Sequence, residues 1–118
     1  MRVMVLATSS PAAETRQPEG GDFEPMVRYT EELIAAGVLL DSGRLQPSAK
    51  GARVRFDGSS RTVVDGPFTE AKELVAGYWL LQVKSLAEAV EWVKRCPNPH
   101  HDDSDIEIRP FFEPEDFA

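Results

Sequence analysis

Asp65, Glu70 and Lys72 stand within eight residues of one another, at a corner that Gly66 and Pro67 force on the chain. Proline fixes its own φ and pushes the residue before it away from the helical region, while glycine takes dihedrals that a side chain resists. A carboxylate beside an apolar ring such as Phe68 can acquire the altered proton affinity that a general base needs. A nearby lysine can hold an anionic substrate or stabilise developing negative charge. The expected site therefore has Asp65 as base, Glu70 and Lys72 as its charged partners, and Gly66, Pro67, Phe68, Tyr29 and Tyr78 as ligand-binding residues. Proton transfer of the isomerase or lyase type is the reaction such a set suits. The same residues also describe a strand end followed by a solvated charged turn, the commoner meaning of charged turns at surfaces. In that structural reading Asp65 caps the corner, Phe68 plugs the core, and Glu70 and Lys72 form a surface pair worth at most about 1 kcal/mol.

Other chemistry-bearing residues are more sparsely supported. Cys96 is the only cysteine, so no intrachain disulfide can form and a reducing, cytoplasmic setting fits. Its expected role is a buried structural thiol. His100, His101, Asp102 and Asp103 are metal-ligand types, but adjacent histidines point apart and one loop lacks the geometry that converges ligands. A solvated polar loop is the expectation, with no metal and no cofactor. Arg53 and Arg55 share one strand face and could bind an anion; alternation alone puts them on a solvated face. No P-loop, G-x-G-x-x-G, G-x-S-x-G or H-E-x-x-H pattern occurs.

The 118 residues, 42% apolar and 28% charged, fit one soluble domain over 1–118 with an adequate core. A formal charge of −7 argues against a nucleic-acid backbone or an anionic membrane surface as partner. No apolar run approaches the roughly 18–20 residues of a membrane span. The run at 1–7 is also short for a signal-peptide core and reads as a strand.

Those site residues must be held by regular elements. Residues 3–7 are apolar on both alternating faces, as in a central strand covered on both sides. A loop is expected over 8–22, then a helix capped by Asp22, with Pro25 in its first turn and Gly37 beyond its end. Phe23, Met26, Val27, Thr30, Leu33 and Ile34 form its apolar stripe. Tyr29 lies slightly off that stripe, as a core-edge ring with an outward hydroxyl. Residues 38–40 read as a strand ending at a bend or bulge, Asp41-Ser42-Gly43. Strands at 52–56 and 61–64 flank the Asp57-Gly58 hairpin signal. Residues 70–75 suit a helical turn before the apolar strand 78–83. Ser85 and Glu88 make a capping box for the next helix, which Pro97 stops. Ile106 and Ile108 alternate with charges in a last strand. The aromatics Phe111, Phe112 and Phe117 need to pack back on the body or on a second subunit. The expected plan is α+β: a ferredoxin-like βαββαβ with an added β-hairpin, an antiparallel sheet with helices on one face and the other uncovered.

Val63-Val64-Asp65-Gly66-Pro67-Phe68, with Glu70, Lys72, Glu73, Gly77 and Tyr78, resembles the DGPF-domain branch of the YCII-related family. Glu32-Leu33, Ala36-Gly37-Val38-Leu39, Gly43, Leu45, Pro47 and Ile106-Glu107-Ile108-Arg109-Pro110 extend the resemblance along nearly the whole chain. It implies a ferredoxin-like subunit that pairs as a homodimer into a dimeric α+β barrel. It implies no settled activity, although more distant relatives of the fold act on aromatic or lactone-like compounds. Asp65 matches the aspartate of a His-Asp pair that such proteins look to use, whereas no histidine stands at a matching early position. The resemblance also implies an alternative, a non-catalytic ligand-binding or regulatory module associated with an extracytoplasmic-function sigma factor.

Overall fold

A computed structural model of the chain describes residues 1–11, 20–68, 74–98 and 105–117. Its elements run β1 (Arg2–Ser9), α1 (Gly20–Ala35), β2 (Leu39–Arg44), β3 (Ala52–Asp57), β4 (Ser60–Asp65), β5 (Leu74–Gln82), α2 (Leu86–Lys94) and β6 (Ile106–Pro110). Four strands form one antiparallel sheet in the order β2-β5-β1-β6. Setting aside β3 and β4, which pair only with each other, this is the expected ferredoxin-like α+β arrangement with an added hairpin.

Period-two alternation divides the sheet into two unlike faces. Val3, Val5 and Ala7 pair with Leu81, Trp79 and Gly77 on one side of β1, and with Pro110, Ile108 and Ile106 on the other. That face meets Tyr29 and Leu33 of α1 and Ala89 of α2, with Trp92 and Val93 packed against the cluster. Both helices therefore cover one face. The intervening residues Met4, Leu6, Tyr78 and Leu80 remain half-buried on the other. The double cover expected for β1 is thus not supplied by the described residues. Both faces of β1 are apolar as expected, but among the described residues only one is covered.

Helix termini follow the chemistry of their sequences. Gly37 takes φ +74°, the left-handed region where glycine carries no Cβ penalty. Val38 N–H then donates to Leu33 O at 3.2 Å and Gly37 N–H to Ile34 O at 2.9 Å, which closes the end of α1. At α2 the Ser85 hydroxyl accepts from Glu88 N–H at 3.1 Å, and the Glu88 carboxylate accepts from Lys84 N–H at 3.0 Å. The start of α1 departs from expectation. The helix is already formed at Gly20, so Asp22 lies inside it and is not its cap. Pro25 is likewise beyond the first turn, where its missing N–H deprives an earlier carbonyl of a helical partner. Leu74 and Val75 belong to β5, so the helical turn expected over 70–75 does not extend to them. β2 runs on through Asp41, Ser42 and Gly43, and the irregularity expected there is present as a bulge between Leu39 and Asp41.

The hairpin has the expected Asp57-Gly58 turn, with Gly58 at φ +57°. Val54 pairs with Val63 and Phe56 with Arg61 on one face, yet Val54, Phe56 and Val63 are 56%, 71% and 66% exposed. An isolated two-stranded hairpin is at best marginally stable in water.

Candidate functional site

β4 delivers the chain to the corner at Asp65, whose Cα pairs with Ala52. Gly66 N–H donates to Gly51 O at 3.0 Å, and a Cβ on Gly66 would collide with the Ser48 carbonyl oxygen. The Gly66–Pro67 peptide is cis. Phe68 N–H then donates to Ser48 Oγ at 3.2 Å. The Phe68 ring is buried, with the Arg53 guanidinium 3.9 Å above its centroid. Gly66 and Phe68 are therefore clamped on residues 48–51, and Arg53, on an exposed strand face as expected, also packs over the Phe68 ring. Asp65 itself is exposed, and its carboxylate has no hydrogen-bond or ion-pair partner among the described residues. Glu70 and Lys72 lie outside the described residues, as do His100, His101, Asp102 and Asp103.

The tyrosines separate onto opposite faces of the sheet. Tyr29 is a core residue: its ring meets Trp79 edge-on at 5.7 Å, and its hydroxyl donates to Trp92 O at 2.6 Å. Burial, reinforced by nearby Cys96, pushes its phenol well above the usual range. The one polar atom of Tyr29 is thus spent inside the helix–sheet core, where an outward hydroxyl was expected. Burial also pushes the Cys96 thiol up to about 11, which keeps it protonated near neutral pH and matches a structural thiol.

Tyr78 stands on the open face, directly across from Gly43 of β2. A side chain at 43 would come within 2.9 Å of Tyr78 Cε1, so the glycine makes room for the ring. The Tyr78 hydroxyl donates to Asp41 Oδ2 at 2.9 Å, and Ser42 N–H donates to Asp41 Oδ1 at 2.9 Å. The hydrogen bond to Asp41, more than desolvation, raises the Tyr78 pKa. Asp41 is the residue that sequence reasoning missed. Strict alternation from Leu39 would aim it at the helices, whereas the bulge registers it with Leu80 on the open face. Only the Asp41-Ser42-Gly43 bulge signal hinted at this.

An antiparallel sheet with both helices on one face places the chain in the ferredoxin-like α+β class. It belongs to the YCII-related family, whose YCII-related domain matches residues 1–112. It is also similar to an uncharacterized protein of Rhizobium meliloti (strain 1021), at 34% identity over 79 residues. That match covers 67% of this chain and 64% of the relative, so it spans less than two thirds of the relative's length. Among the described residues, no helix is long and apolar enough to cross a membrane.

Proposed function

We propose that the chain is a DGPF-type member of its family that acts as a homodimer, its open sheet face covered by a second copy. A small molecule binds at the Asp-Gly-Pro-Phe corner, and Asp65 serves there as the general base of a proton transfer of the isomerase or lyase type. The observation that carries this reading is the state of Asp65. Its carboxylate is unpaired among the described residues, while the backbone of Gly66 and Phe68 beside it is fixed by hydrogen bonds to Gly51 and Ser48. An uncommitted carboxylate at a fixed backbone corner is open to act as a general base. The half-buried Met4, Leu6, Tyr78 and Leu80 support the pairing, since such a face gains by being covered.

Proton exchange tests the chemistry. In D2O, the protein is expected to accelerate deuterium incorporation into enolisable aromatic ketones or lactones, and Asp65→Asn to remove that acceleration without altering the melting temperature. Equal exchange by both proteins would contradict the role of Asp65. One observation favours a second reading, a binding module without catalysis: no other titratable group partners Asp65 among the described residues. In that case aromatic acids would raise the melting temperature and yield no product. The association with an extracytoplasmic-function sigma factor belongs to this second reading.

A further inference from the structure

Among the described residues β3 and β4 pair only with each other, and every residue of both is exposed. Their register, Phe56 with Arg61, Val54 with Val63 and Ala52 with Asp65, sets three cross-strand rows on one face. The middle row is apolar, and the outer rows are opposite in charge and unlike in size. Beside the turn stand a large ring and a positive charge; beside the corner stand a methyl group and a negative charge. The Arg61 guanidinium lies 4.3 Å above the Phe56 ring centroid, and its Nη1 donates to Gly58 O at 2.9 Å and Ser60 O at 2.8 Å. Its Nε and Nη2 have no acceptor among the described residues, and the Asp65 carboxylate has no donor.

Such a face is complementary to itself. A two-fold axis along the middle row lays a second hairpin over the first with its strands reversed. Val54 and Val63 then meet their own copies, each Phe56 covers an Ala52, and each Arg61 faces an Asp65. We infer that the hairpins of two copies pack on each other through this face, so that the second copy's Arg61 completes the corner at Asp65. The inference rests on the homodimer proposed above. Six residues per copy fall well short of the roughly 20–30 of a self-standing interface, so the sheet-face pairing must hold the hairpins together. Arginine stays protonated and takes no proton from a substrate. It keeps the facing carboxylate ionised, as a base must be, and offers an anionic substrate a positive charge.

Cross-linking with a short bis-maleimide tests the packing. Val63→Cys is expected to yield about tenfold more covalent dimer than Thr62→Cys, whose side chain points to the opposite face. The unmodified protein is the control for Cys96, whose thiol burial pushes up to about 11 and so makes unreactive. In dilution followed by light scattering, Arg61→Asp and Asp65→Arg are each expected to weaken pairing about tenfold, and the double variant to recover to within about threefold. A monomeric unmodified protein would overturn this inference together with the homodimer. A dimer that cross-links equally from positions 62 and 63, or from neither, would overturn the hairpin contact alone. A double variant that pairs no tighter than the single ones would overturn the Arg61–Asp65 pairing.

Discussion

The two faces of the central sheet are made from alternate residues of the same strands, yet the described residues close only one of them. On the helix-covered face Val3, Val5, Trp79 and Leu81 are packed under α1 and α2, and Tyr29 has its hydroxyl satisfied within the core. On the open face Met4, Leu6, Tyr78 and Leu80 stay half-buried, and the polar pair Asp41–Tyr78 is held by local hydrogen bonds. The covered face stabilises the fold; the open face has no such cover among the described residues. The hairpin and the C-terminal aromatics belong with the open face in this respect. Phe112 and Phe117 are 75% and 74% exposed and meet chiefly each other, at 5.1 Å between ring centroids.

Substitutions should divide along the same line. Leu33 is 0% exposed, and Leu33→Ala is expected to cost about 2–5 kcal/mol in chemical denaturation, from lost burial and the cavity left behind. A cost well below that would mean that the helix–sheet core is not the stabilising layer. Gly66→Ala is next, at about 1–3 kcal/mol, because its methyl meets a backbone carbonyl that cannot swing aside. Tyr29→Phe is expected to cost about 1 kcal/mol by removing the shorter of two hydrogen bonds to Trp92 O, which keeps only Arg95 N–H as donor. Tyr78→Phe, the same change on the open face, should leave the melting temperature within error, and a matching loss would erase the distinction between the faces.

The smallest effect concerns acid stability. Arg2 binds Glu113 through Nε at 3.2 Å and Nη2 at 3.3 Å, and this hydrogen bonding holds the Glu113 carboxyl below the usual carboxylate range. A pKa lowered by folding contributes stability that is complete above the unfolded pKa and is lost as pH falls through the folded one. Melting curves of Arg2→Gln and the unmodified protein should therefore differ near neutral pH and converge in acid. A difference that persists in acid would assign Arg2 a packing role, through its position 5.0 Å from the Phe111 ring centroid.

Much of the fold was legible because local chemistry specifies it. Gly37 marks a helix end, Ser85 and Glu88 a helix start, and Asp57-Gly58 a hairpin, each through backbone groups that a nearby residue must satisfy or release. The start of α1 was not legible. Asp22 has the chemistry of a cap, but a capping residue type does not prevent a helix from beginning earlier. The site was less legible still. Asp65, Gly66 and Phe68 were legible as neighbours because the corner is contiguous in sequence. Asp41 escaped because its face depends on a one-residue bulge, and a one-residue slip reverses every side chain beyond it. Tyr29 and Tyr78 were both candidate ligand residues, Tyr29 with a core-edge ring. Only tertiary packing, α1 against Trp79 and Trp92 for one ring and the β2–β5 register for the other, separates the core ring from the open one.

Light scattering on the unmodified protein and on Leu80→Asp tests most directly whether the open face is a working surface. The expected masses are twice the 13.1 kDa of one chain for the former and 13.1 kDa for the latter, with the variant still cooperatively folded. A 13.1 kDa unmodified protein, or a variant that still pairs, would contradict coverage of this face by a second copy.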